Sequence, residues 1–212
     1  MRGPQSLGPA ALKISTFAMI WLLVVLTGSL LMAQYSQTAG VVGIPPEQWP
    51  ETSRVRREPA ISNLVIFLHP HCPCSRATLG ELERLMAHCQ GLLSAQVWFI
   101  QPEGKDENWV KTDLWPMAAA IPGVQVAVDH AGEEARRFQA ATSGQTLLYD
   151  ANGRLVFQGG ITLARGHAGD NPGRDAIECL VKQKTSLSTS TPVFGCALGW
   201  NIQPEECTSC QP

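Results

Sequence analysis

Residues 14–33, ISTFAMIWLLVVLTGSLLMA, run for twenty positions without a charged side chain. At about 1.5 Å of rise per residue, a helix of that length reaches roughly 30 Å, the thickness of a bilayer's hydrocarbon core. Arg2 and Lys13 precede the run, and no Lys or Arg follows it until Arg54. Basic residues are retained on the cytoplasmic side, so the asymmetry predicts a cytoplasmic N-terminus (1–13), a single span (14–33) and an extracytoplasmic remainder. A cleaved signal peptide is the alternative. The run is longer than an ordinary signal core, and TAG at positions 38–40 is a poor cleavage site. An uncleaved anchor is therefore expected, and both readings put the rest of the chain where thiols can oxidise and stay oxidised.

That compartment governs how the seven cysteines read: Cys72, Cys74, Cys89, Cys179, Cys196, Cys207 and Cys210. An odd count leaves one thiol over unless two chains are bridged. The formal net charge is −2, and the one dense basic run, Arg54, Arg56 and Arg57, lies in a proline-rich stretch. Phosphate binding needs clustered Lys and Arg, so nucleic acid is not expected as a partner.

Residues 34–59 contain GIPPEQWPETSRVRREP and read as a linker, with Trp49 its one candidate for contact with a domain. From residue 60 the pattern alternates. NLVIFL (63–68), AQVWFI (95–100) and VQVAV (124–128) are apolar runs of the kind covered on both faces of a sheet. Residues 75–89 place Ala77, Leu79, Leu82, Leu85, Met86 and Cys89 at helical spacing. Helices are also expected over 108–120, broken near Pro116, and over 133–141 and 170–184. Asn171 can cap the last of these, and Pro172 suits its first turn. Strands at 145–149 and 154–158 flank DANG, a hairpin signal because such turns require positive φ. The order β-α-β-α-β-α-β-β-α demands parallel pairing for the early strands and an antiparallel closing hairpin. A mixed central sheet between helical layers follows, over residues 60–185, with a cysteine-containing tail at 186–212.

The chemistry concentrates in FLHPHCPCSRATLGEL, residues 67–82. Cys72 and Cys74 stand where a strand ends and a helix begins, the edge at which α/β sheets place their ligands. A helix N-terminus offers unsatisfied N–H groups and about half a positive charge, which favour a thiolate. Pro73 stiffens the connection, and His71 adjoins Cys72 as a candidate charge or proton carrier. A Cys-x-Cys disulfide would close a tight ring, hence an easily reduced one. Cys89 and Cys179 fall on apolar helical faces and read as small core residues.

A cysteine just after the first strong strand resembles the thioredoxin superfamily. Its strand, F-x-x-P-W-C-x-x-C, helix pattern is met by Phe67, Pro70, His71 and Cys72. The second cysteine of that pattern would fall on Ser75, which departs from it, with Cys74 one residue earlier. The strings HPHCPCSRATLGEL, LLYDANGRLVFQGGITLARGHAGDN and TPVFGCAL look like the bacterial membrane-anchored thioredoxin-like proteins called RedB. The resemblance implies a thioredoxin-like three-layer sandwich behind one transmembrane helix in the bacterial cytoplasmic membrane, with the domain on the periplasmic or extracellular side. It implies a thiol–disulfide oxidoreductase without cofactor, in which Cys72 attacks. Cys74 or Cys196 would resolve the mixed disulfide. Partners would be protein thiols and disulfides, or a membrane thiol protein that donates electrons.

The family's cis-proline position, facing the active cysteine, falls here on Gly144. That removes a wall of the usual peptide groove, where Ser143 or Gln145 is the expected source of hydrogen bonds instead. The loop 159–171 should border the site, making Arg165 and especially His167 distant candidates for acid–base or ligand work. Cys196 stands on a tethered segment that either folds back to the site or pairs with Cys207 or Cys210. Two other chemistries fit the residues. Copper binding of the Sco type would use Cys72, Cys74 and His167, since soft thiolates suit Cu(I). A thiol peroxidase would oxidise Cys72 to a sulfenic acid.

Overall fold

The computed structural model describes residues 9–184 and 188–199. Cys207 and Cys210 lie outside the described residues. The chain divides into two compact units, Met1–Gln37 and Thr38–Pro212. In the first, helix α1 spans Pro9–Gln37. Its stretch Ile14–Gln37 has a mean hydropathy of 2.1 and is long and apolar enough to cross a membrane. Phe17, Trp21 and Leu30 are all exposed, so the helix carries an apolar surface on more than one side.

The second unit is built on five strands: β1 (Ser62–Leu68), β2 (Leu93–Gln101), β3 (Val124–His130), β4 (Gln145–Tyr149) and β5 (Leu155–Gly159). They lie in the order β3-β2-β1-β4-β5. β1, β2 and β3 are mutually parallel, and β4 runs antiparallel to both β1 and β5. The helices are α2 (Cys74–His88), α3 (Glu107–Val110), α4 (Leu114–Ala119), α5 (Glu133–Arg137) and α6 (Pro172–Val181). This is the mixed sheet between helices that the sequence pattern predicts.

Central strand β1 is apolar from Leu64 to Leu68 because both its faces are covered. Leu64, Ile66 and Leu68 pack with Leu79, Leu82 and Leu85 of α2 and Ile177 of α6. Val65 and Phe67 alternate to the other face, against Phe138 and Tyr149. Residues 46–49 close that second face. Trp49 meets Phe138 and Tyr149 edge-on at 5.4 and 5.1 Å, its N–H donates to Gly153 O at 2.8 Å, and Tyr149 Oη donates to Pro46 O.

Local signals act as expected at the hairpin and at α6. Asp150 Oδ1 accepts the N–H groups of Asn152 and Arg154 at 2.9 Å each, and Gly153 takes φ +80°. Asn171 Oδ1 accepts the Arg174 N–H at 2.8 Å. Two helices differ. The helix anticipated over 108–120 is divided at residues 111–113, before Pro116 rather than at it. There Thr112 Oγ1 turns to donate to Pro70 O at 3.1 Å and accepts the Leu114 N–H, a tertiary contact that diverts the chain toward the motif. Pro116 sits in the first turn of α4, where its missing N–H costs nothing. The helix at 133–141 ends at Arg137, with Gln139 at φ +54°.

One buried charge ties the loop 160–171 to α2. Glu81 is fully buried and accepts from Arg174 Nη1 at 2.6 Å, Arg84 Nη1 at 2.8 Å, the Gly169 N–H at 2.8 Å and Asn171 Nδ2 at 3.2 Å. Removing one partner of such a buried set strands the other charge. Glu81→Ala should therefore destabilise the fold by about 3 kcal/mol, read as a lower urea midpoint, with Glu81→Gln intermediate.

Candidate active site

β1 ends at Leu68, and the next four residues make a turn closed by the Cys72 N–H donating to His69 O at 3.1 Å. Pro73 then takes right-handed helical dihedrals (φ −62°, ψ −26°) as the residue before α2. Cys72 thus precedes the helix and Cys74 is its first residue. Cys72 is 1% exposed.

The sulfur of Cys72 is surrounded by donors. The Cys196 N–H points at it from 3.3 Å, across 124 residues of chain. The thiols of Cys196 and Cys74 both donate to it, as does the Cys74 N–H. The Cys196 thiol is the largest influence, the Cys74 thiol the next, and together they outweigh burial. The Cys72 thiol is held far below its ordinary range. Cys74 moves the opposite way, because its proton is held in the bond to Cys72, burial disfavours a second charge, and the Cys72 thiolate repels one. The Arg165 charge and the Gly166 N–H act against that rise without reversing it. Cys72 is the thiolate and Cys74 the thiol.

Cys196 reaches the site because residues 195–198 run antiparallel to 141–143. The Ser143 N–H donates to Cys196 O at 2.8 Å and the Leu198 N–H to Ala141 O at 2.9 Å, on either side of a Thr142–Ala197 bridge. Val193, Phe194 and Leu198 are buried and anchor the segment. Ser143 is the junction beneath it. Its Oγ accepts the His69 N–H at 2.9 Å and shares a hydrogen bond with Ser75 Oγ at 3.0 Å. Ser75 Oγ also lies 3.2 Å from His69 O. The residue at the superfamily's second-cysteine position therefore braces the turn and does not face the thiolate.

Other residues singled out from the sequence divide. Gly144 has φ +91°, and its N–H donates to Phe67 O at 2.8 Å. A Cβ there would stand 3.1 Å from Thr78 Oγ1 of α2, so this glycine lets the loop close onto the helix. Gln145 turns back along the chain and accepts the Ala141 N–H at 3.0 Å. Arg165 does border the site, with Nη1 donating to Gly195 O at 2.8 Å. His167 does not. It is exposed, its N–H donates to Ala164 O at 3.2 Å and its Nε2 lies beside Gly169. Among the described residues no three His, Cys, Asp or Glu side chains are gathered to hold a metal ion, so the set Cys72, Cys74 and His167 is not assembled.

His71 is turned from Cys72 as well. Its Nε2 is 2.9 Å from Trp109 O, and its ring lies 4.6 Å from the Trp109 ring. His69 Nδ1 accepts the His71 N–H at 3.2 Å. Burial lowers the His69 pKa, the Cys72 charge works against that, and His71 adds to it. Trp109 carried no sequence signal, because only the break after α3 brings it here. A cleft of about 190 Å³ opens on this side, between His71, Cys72 and Pro73 and the segment from Thr112 to Leu114. The exposed Arg76–Asp113 ion pair stands at its rim. Cys89 is wholly buried in the core, and Cys179 is half-buried on α6.

No protein-family model matches the sequence, and no curated protein does. Solved structures do. An uncharacterized conserved protein from Geobacillus kaustophilus aligns at 17% identity over 79% of this chain and 94% of that one, with a TM-score of 0.56. A hypothetical protein from Sinorhizobium meliloti aligns at 20% identity over 79% and 97%, also at 0.56. A pneumococcal exposed lipoprotein thioredoxin from Streptococcus pneumoniae aligns at 15% identity over 59% and 86%, at 0.44. The first two share this fold, and its strand order and directions are those of the thioredoxin-like sandwich expected from the sequence.

The ionisation of Cys72 is open to measurement. A lowered pKa keeps the thiolate as pH falls. The far-ultraviolet thiolate absorbance that is lost in Cys72→Ser should therefore persist from about pH 8 to about pH 5, where an ordinary thiol would have protonated. Cys196→Ala removes the largest donor and should move the titration upward, while Cys89→Ala leaves it in place.

Proposed function

We propose that this chain is a membrane-anchored, extracytoplasmic thiol–disulfide oxidoreductase of the RedB-like kind. The observation that carries the reading is the donor shell on Cys72 Sγ, made by Cys196 and Cys74 at the start of α2. A sulfur so held is a nucleophile at neutral pH. Thiol groups stand within hydrogen-bonding reach to take over a mixed disulfide. Cys72 attacks one sulfur of a protein disulfide, the other sulfur leaves as a thiolate, and a neighbouring thiol then releases the bound half. The sequence carries no dinucleotide or flavin motif, so the electrons come from another thiol protein of the membrane or the extracytoplasmic space. The helix over Ile14–Gln37 holds the domain at the bacterial membrane.

Cys72→Ser should lower exchange with a peptide disulfide by at least about 1,000-fold, the scale set by loss of a nucleophile. Full activity in that variant would sink the reading. The anchor is checked separately. The intact protein should sediment with membranes after alkaline washing and retain its N-terminal residues by mass spectrometry. Release of a shortened, soluble chain would remove the anchor and leave the exchange chemistry untouched.

A further inference from the structure

The segment 195–198 behaves as more than a carrier of Cys196. It adds two main-chain hydrogen bonds and one antiparallel bridge to residues 141–143, which is how an extended peptide docks on a free strand edge. Gly195 is packed so closely that a Cβ would overlap Ser143 O. Arg165 Nη1 clasps Gly195 O, and the Gly40 N–H donates to Val193 O at 2.8 Å. Beneath this strap Cys72 is 1% exposed. An incoming disulfide must approach the thiolate along its own S–S axis, and exchange rates depend on that access. With the strap docked, Cys72 borders only the small cleft of about 190 Å³ beside His71 and Pro73 among the described openings, which leaves an extended polypeptide disulfide little room to align with the sulfur.

We propose that residues 195–198 are a built-in substrate mimic, a strap that holds the strand-pairing edge at 141–143 and must lift to admit a polypeptide disulfide, and that Cys196 rather than Cys74 closes the catalytic disulfide with Cys72. This rests on the oxidoreductase reading and names the regulation of that site. The chain at Cys74 explains the division of labour. Pro73 is already helical, the Ser75 N–H donates to Cys72 O at 3.0 Å, and Cys74 sulfur is held by the Gly166 N–H. The two sulfurs are already in contact, but a bond between residues two apart closes a tight ring across Pro73 that departs from relaxed disulfide geometry, so a Cys72–Cys74 bond requires this turn to open. Cys196 needs only to advance along its own strand.

The steps balance. Cys72 thiolate attacks a substrate disulfide R–S–S–R′, forming Cys72–S–S–R and releasing R′–S⁻, which takes up a proton. The strap returns, Cys196 gives up its proton and attacks Cys72 Sγ, and R–S⁻ leaves and is protonated. One substrate disulfide is reduced by two electrons, and the Cys72–Cys196 dithiol is oxidised to a disulfide that locks the strap down. A protein dithiol restores both thiols and frees the strap.

The test uses the full-length reduced protein in detergent. It is mixed with glutathione disulfide or with a disulfide-linked extended peptide, quenched in acid, and mapped by mass spectrometry. In the wild type the product should be Cys72–Cys196. Cys196→Ser should accumulate Cys72 joined to glutathione. Gly195→Val cannot seat the strap, so it should raise the peptide rate relative to the glutathione rate by about tenfold, the reciprocal of an open fraction near one tenth. A Cys72–Cys74 product with Cys196 still alkylatable would overturn the assignment of Cys196 while leaving the oxidoreductase standing. An unchanged peptide-to-glutathione ratio in Gly195→Val would overturn the gating. Should that variant not fold, Phe194→Ala, which weakens the strap's anchor, carries the same comparison. Failure of Cys72 to form any mixed disulfide, in the Cys74→Ser and Cys196→Ser double variant as well, would overturn the oxidoreductase reading itself.

Discussion

The antiparallel contact between residues 141–143 and 195–198 sets the state of Cys72. Ser143 donates its N–H to Cys196 O, which turns the Cys196 N–H toward the sulfur of Cys72 at 3.3 Å. The same serine holds His69 and Ser75 through its hydroxyl. The turn that presents Cys72 and the strap that covers it are therefore fastened to one residue. A thiolate buried to this degree would be unstable without donors. Here they arrive from two directions, the helix start and the strap.

This divides the duties of helix and tail. A helix N-terminus alone stabilises a thiolate through its dipole and its unsatisfied N–H groups. In this chain the Cys74 N–H plays that part, but the thiol of Cys196 is the stronger influence. The acidity of Cys72 therefore depends on whether the tail is docked, and access to Cys72 depends on the same event. Nucleophilicity and shielding rise together while the strap is down. Beside the small cleft the surroundings are aromatic: the His69, His71 and Trp109 rings meet edge-on or tilted, with His69 Nδ1 accepting the His71 N–H and His71 Nε2 2.9 Å from Trp109 O.

The element order and the position of the motif are legible in the sequence because both are local. Five apolar residues from Leu64 to Leu68 have no solvent face, so the strand belongs in the middle of a sheet. Asn171 and Pro172 mark a helix start, and DANG marks a hairpin, each through the conformation of a few adjacent residues. Locality also explains the misses. The helix expected over 108–120 is parted by a bond between Thr112 and Pro70, forty-two residues away. His167 reads as a reactive side chain in a loop near the site, yet that loop is held by Glu81 through Gly169 and Asn171. The tethered loop presents Arg165 and Gly166 to the cysteines and leaves the imidazole outside.

The sequence by itself determined the mixed sheet, the long apolar helix before it, and the placing of Cys72 between a buried strand and a helix, since periodicity and capping are carried by neighbouring residues. It showed Cys196 as a cysteine on a tether without saying where the tether ends. Only the tertiary structure decided which thiol meets Cys72. The arrival of Cys196 beside Cys72 turns on whether Val193, Phe194 and Leu198 find burial and whether an edge at 141–143 stands open to pair. Those are properties of surfaces assembled from segments far apart in the chain, and no local pattern encodes them.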